Sequence, residues 1–225
     1  MTSDKNEIHS AADILKDMTV KGAIFDLDGT LLDSMFIWDT MGEDYLLHLG
    51  IAPKPGLNER FRTLSIMQAV EHYQTEYGLK GTSQEIIDHV NSYVGELYSG
   101  AVELKAGVLP LLELFKAHGI AMCVATATDR DIAKSALQHN GILEYFSEIL
   151  TCTDVGFGKD SPVIFEKSLE LLGTQKSETL VFEDALHAIA TAKAAGFIVV
   201  GVFDSHCAHH QEKIKFLADY YLPSF

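Results

Sequence analysis

Short apolar runs recur along this chain, and segments with helical spacing fill the intervals between them. Ala23, Ile24 and Phe25 form one such run and predict a strand over residues 20–26; similar runs at 120–125, 149–151, 179–182 and 198–202 predict four more. Each is apolar at successive positions, as a strand buried in a parallel sheet should be. Between them lie amphipathic helical patterns at 108–118 (Leu111, Leu112, Leu114, Phe115), 129–140, 163–172 and 185–195. A glycine follows each of these helices, where a left-handed residue often ends one. Repeated strand and helix predict an α/β fold, a Rossmann-like three-layer core around a doubly wound parallel sheet.

Residues 36–104 break this rhythm. No strand-like run occurs there, and helical patterns centre on 38–49, 65–77 and 83–98. The expected organisation is an N-terminal extension over 1–18, a catalytic core over 19–35 and 105–225, and an inserted helical cap over 36–104. Leaving the core after the first strand, such a cap could sit over the carboxyl ends of the strands, where open α/β sheets bind ligands. A further exposed helix is expected over 211–218.

Composition narrows the partners. Hydrophobic residues make up 47% of the 225 positions, enough for a sizeable core. Asp and Glu number 32 against 17 Lys and Arg, a net charge of −15, so the long-range field repels nucleic acid and acidic lipid headgroups. Any phosphate ligand must then be held by local cations. Three widely spaced cysteines, Cys123, Cys152 and Cys207, suit free thiols in a reducing, cytoplasmic setting. No apolar run is long enough to span a bilayer, and the acidic, amphipathic first eighteen residues are unlike a signal peptide. A monomer or weak dimer is expected.

The chemistry begins at Asp26-Leu27-Asp28-Gly29-Thr30, where the first strand ends. Residues two apart in an extended backbone point the same way, so the two carboxylates can converge on a hard cation, Mg²⁺ above all, while Gly29 allows a sharp turn. An EF-hand calcium loop is the competing reading. It fails because the twelfth position holds Ile37 instead of a bidentate Glu, and the preceding segment is strand-like. The acidic pair Glu183-Asp184 follows another apolar run and needs a cation or hydrogen bonds to offset its repulsion, although a carboxylate pair at a helix start is the plainer alternative.

The run from Ile24 to Ser34, read as Ile-Phe-Asp-Leu-Asp-Gly-Thr-Leu-Leu-Asp-Ser, resembles the first signature of the haloacid dehalogenase-like hydrolases, and the likeness extends across nearly the whole core. The resemblance implies that Asp26 is a nucleophile that forms an aspartyl phosphate, and that Asp28 protonates the leaving oxygen and later activates water. It further implies that Thr126, with the backbone N–H of Ala127, binds the phosphoryl oxygens. Lys159 would offset charge between phosphate and Asp26. Mg²⁺ would be held by Asp26, the carbonyl of Asp28 and Asp184, with Glu183 directly or through water. Two departures stand out: Asp160 replaces the proline that usually follows the lysine, and Ala188 stands where glycine is frequent.

Substrate choice in such proteins lies mainly in the cap. The nearest relatives by appearance are phosphatases and β-phosphoglucomutase-like proteins with a helical cap. Mutases carry a His ten residues after the second Asp, where this chain has Trp38, and a Gly-x-Ser-Arg loop that is absent here. The expectation is therefore a Mg²⁺-dependent phosphatase acting on a small phosphorylated metabolite such as a phosphosugar. The alternatives are a phosphosugar mutase or a non-catalytic metabolite sensor. Arg62 is a candidate second contact for an anionic substrate or an exposed helix-end residue, and Phe36 and Trp38 are expected in the cap's own core, with lining of the cavity as the alternative. His206, Cys207, His209 and His210 lack a closing second pair at zinc spacing, and Cys152 has no basic sequence neighbour to favour a thiolate.

Overall fold

A computed structural model of the chain describes residues 11–225 apart from positions 62, 63 and 65, so Arg62 and the first ten residues of the N-terminal extension lie outside the described residues. Two compact units are present: Met1–Asp33 with Val102–Phe225, and Ser34–Ala101.

In the first unit, a helix α1 (Ala11–Asp17) precedes strand β1 (Gly22–Phe25) and a short strand β2 (Leu32–Asp33). The second unit is built from α2 (Met35–His48), α3 (Leu57–Phe61), α4 (Ile66–Tyr77) and α5 (Ser83–Gly100). The chain then resumes the first unit with β3 (Glu103–Leu104), α6 (Val108–Ala117), β4 (Ala121–Thr126), α7 (Arg130–His139), β5 (Ile149–Thr151) and α8 (Cys152–Val155). It closes with α9 (Val163–Leu172), β6 (Thr179–Glu183), α10 (Leu186–Ala194), β7 (Ile198–Val202), α11 (Gln211–Leu217) and β8 (Tyr220–Leu222).

Six parallel strands form one sheet in the order β5-β4-β1-β6-β7-β8. Alternation along each strand supplies two apolar faces. On one, Ile24, Val181 and Val199 pack with Ile164 and Phe165 of α9, Ile189 of α10 and Ile214 of α11. On the other, Phe25 and Phe182 stack at 4.5 Å between ring centroids, and Phe115 of α6 meets them at 6.1 and 5.9 Å. The sheet is thus covered on both faces, in the predicted three-layer α/β arrangement. Ile14 of α1 is also buried.

Two pairings were not foreseen. β8 is only three residues long and follows a helix directly, so it carries no periodic signal, yet it extends the sheet through Val200↔Tyr220. β2 and β3 pair antiparallel at the two points where the chain leaves and re-enters the first unit.

The second unit has no strand among its described residues. Tyr45, Tyr73 and Phe61 cluster, with centroids 5.5 Å apart for the two tyrosines and 5.0 Å for Phe61 and Tyr73, and the Tyr73 hydroxyl donates to the Gly42 carbonyl at 3.0 Å. Along α5 the buried residues Ile86, Val90, Val94 and Tyr98 recur every fourth position, and Thr82 with Glu85 closes a capping box. Phe36 and Trp38, expected in this core, are 48% and 44% exposed; a hydrogen bond from the Trp38 indole to the Tyr98 hydroxyl, 3.1 Å, holds the latter at the surface of its own unit.

Gly107, which caps α6, tests how tightly the first unit closes. Its φ is +87°, and a Cβ there would lie 2.4 Å from the carbonyl oxygen of Phe225. Gly107→Ala is expected to destabilise the fold by about 1–3 kcal/mol through backbone strain and this collision. An unchanged thermal midpoint would contradict it.

Candidate functional site

The sheet register gathers the acidic and hydroxyl residues. Phe25 lies beside Val124 on β4 and Phe182 on β6. Asp26 therefore emerges beside Glu183, the last residue of β6, and one position short of Thr126, the last residue of β4. All three side chains are buried, as is Asp184. The Asp26 N–H donates to the Phe182 carbonyl at 3.0 Å, continuing the ladder by one residue and fixing the backbone from which this carboxylate projects.

Lys159, in the loop between α8 and α9, reaches the same point. Its buried ammonium donates to Asp26 Oδ1 and, at 2.6 Å, to Glu183 Oε1. The other Glu183 oxygen accepts the N–H groups of Asp184 and Ala185, both at 3.0 Å. Asp184 is bound by the Thr30 hydroxyl (3.2 Å) and approached by the Cys207 thiol (3.5 Å). Carboxylate oxygens of Asp26, Glu183 and Asp184 lie within 4.8 Å of one another, the one group of three or more such ligand side chains gathered this closely among the described residues.

Charge within this cluster is unbalanced: three buried carboxylates face a single ammonium. Burial, and next the Glu183 charge, push Asp26 well above the usual carboxylate range, against the opposing pull of Lys159. Burial, Glu183 and Asp204 push Asp184 up to about 7. Burial pulls Lys159 toward its neutral form, but the Asp26 and Glu183 carboxylates outweigh it and hold the ammonium charged. A divalent cation with a preference for oxygen ligands fits this donor set on charge and on chemistry.

Asp28 is placed differently. Its carboxylate is outside the trio and accepts a short hydrogen bond, 2.5 Å, from the Thr128 hydroxyl, although its charge still acts on Asp26. Asp129 caps α7, accepting the Asp131 N–H at 3.0 Å, and Thr128 faces Asp28. Ala127 is exposed beside the buried Thr126. Of the residues singled out in the sequence, the structure brings together Asp26, Lys159, Glu183 and Asp184; Thr30 and Thr128 join them with hydroxyls that look like ordinary turn residues until their distant partners are placed. The thiol of Cys207 is pushed up to about 12 by burial and Asp184, and that of Cys152 is raised by burial, so both remain protonated.

A family model described as haloacid dehalogenase-like hydrolase matches residues 23–202. The chain is 32% identical over 188 residues to the fructose-1-phosphate phosphatase YqaB of Escherichia coli strain K12, covering 80% of this chain and 95% of that one. It is 28% identical to the validoxylamine A 7'-phosphate phosphatase of Streptomyces hygroscopicus subsp. limoneus, over 84% of this chain and 88% of the relative. Among solved structures, CbbY from Rhodobacter sphaeroides in complex with phosphate superposes with a TM-score of 0.73 at 22% identity, covering 92% of this chain and 95% of that one.

Proposed function

The chain belongs to the haloacid dehalogenase-like hydrolases, and from that membership we propose that it is a Mg²⁺-dependent phosphatase that hydrolyses a small phosphorylated metabolite, a phosphosugar or similar, through an aspartyl phosphate. One observation carries the reading: Lys159 bridges buried Asp26 and Glu183 beside Asp184 where adjacent parallel strands end, with Thr128 orienting Asp28 nearby.

In this proposal an Asp26 oxygen attacks phosphorus as the ester oxygen departs with a proton from Asp28. Asp28, now ionised, takes a proton from water, which attacks the phosphorus of the acyl phosphate and frees both Asp26 and inorganic phosphate. Lys159 and the Thr126 hydroxyl stabilise the phosphoryl oxygens, with the Ala127 N–H as a further donor. Asp26, Asp184 and the Asp28 carbonyl, aided by Glu183, would hold Mg²⁺. When bound, the ion neutralises charge developing on the phosphoryl group. The three free cysteines support a reducing, cytoplasmic location.

Phosphate release from a panel of phosphosugars, phosphorylated polyols and nucleotides, with Mg²⁺ and with EDTA, tests this proposal. Selective release that EDTA abolishes is expected. Conversion of a hexose 1-phosphate to its 6-phosphate isomer would favour the mutase alternative; no turnover of any kind would overturn catalysis. With an active substrate in hand, Thr128→Val should lower kcat by about 10- to 100-fold, the worth of a hydrogen bond to a charged group, while Thr128→Ser retains most activity. Equal rates for Val and Ser would remove Thr128 from the reaction.

A further inference from the structure

Lys105 follows β3 directly and belongs to no signature of the family. Its backbone N–H donates to the Leu31 carbonyl at 3.0 Å. Its mostly buried ammonium donates to the Gly29 carbonyl (2.6 Å), the Phe203 carbonyl (2.6 Å) and Asp204 Oδ2 (2.9 Å), which uses all three of its donors. Asp204 is itself buried, and its other oxygen accepts the His206 N–H at 2.8 Å. One side chain thus fastens together the turn after β1, the segment re-entering from β3 and the loop after β7.

The Gly29 peptide is a sensitive place to hold. It is flanked by Asp28, whose carboxylate meets Thr128, and Thr30, whose hydroxyl meets Asp184. The turn is closed by Leu31 and Leu32 N–H groups on the Leu27 carbonyl, both at 2.9 Å, and Gly29 has φ +76°, a conformation open to rotation without a Cβ to oppose it. Fixing the Gly29 carbonyl therefore fixes the directions in which Asp28 and Thr30 leave the backbone on either side.

We propose that Lys105 is a positioning residue for phosphoryl transfer, clamping the Gly29 carbonyl so that Asp28 and Thr30 stay aimed at the site. This rests on the hydrolase reading above. Lys105→Met keeps the length of the stem and removes the donors. It is expected to lower kcat of the folded enzyme by about tenfold or more with KM within about twofold, since small misplacements of reacting groups are costly. Amides over residues 27–32 should also exchange with solvent about tenfold faster or more, while exchange along β6 is unchanged. A purely structural anchor would lower the thermal midpoint and leave kcat per folded molecule intact, and that result overturns the proposal. If Lys105→Met does not fold, Lys105→Gln, a shorter polar side chain with two donors in place of three, decides: a severalfold loss of kcat with KM kept supports positioning, and wild-type kcat overturns it. No turnover by the wild type would mark failure of the hydrolase reading; wild-type turnover retained by the variants marks failure of this one.

Discussion

Asp26→Asn is expected to abolish phosphate release, with a fall of about 10⁴-fold or more in kcat, as is typical when a covalent nucleophile is removed. The amide is nearly isosteric and still offers an oxygen to Lys159, which keeps its second partner, Glu183, at 2.6 Å. The fold should survive. In metal-free buffer the thermal midpoint should rise, because the substitution takes one negative charge out of a buried set of three that one ammonium balances only in part. Mg²⁺ should then stabilise the variant less than the wild type, since stabilisation by a ligand follows its affinity for the folded state. Phosphate release and thermal unfolding with and without Mg²⁺ check all three points. Undiminished release would place the nucleophile elsewhere.

Lys159→Met should shift stability the opposite way. Removing the ammonium leaves Asp26, Glu183 and Asp184 buried with no cation among them, and breaking a buried pair in this manner costs about 3–5 kcal/mol. Activity should fall by about 10²- to 10³-fold, the usual effect of deleting one donor that stabilises developing oxyanion charge. Mg²⁺ should restore part of the lost stability. The double variant Asp26→Asn/Lys159→Met should be more stable than Lys159→Met alone, because it carries one fewer unpaired charge. Additive changes in the thermal midpoints across the four proteins would show that the two side chains do not interact energetically.

Much of the fold was legible because a strand buried on both faces must be apolar at successive positions. Five of the six sheet strands were located from such runs, and the helices between them from their amphipathic spacing. β8 was not, since Tyr220–Leu222 is short and its burial comes only from lying beside β7. Asp26, Thr126 and Glu183 could be picked out as polar residues ending apolar runs. Their placement at the carboxyl ends of adjacent strands depends on β1 lying between β4 and β6, an order that differs from the order along the chain.

What the sequence determined by itself was thus local: the period of each element, the chemical types at strand ends, the balance of charge. Tertiary structure alone decided which groups became partners. Thr128 finds Asp28 across 100 positions, Thr30 finds Asp184 across 154, and Lys105 gathers acceptors 76 and 99 positions away. No periodicity reports such pairs, because the energy of a hydrogen bond depends on a separation of a few ångströms in space and not on separation along the chain.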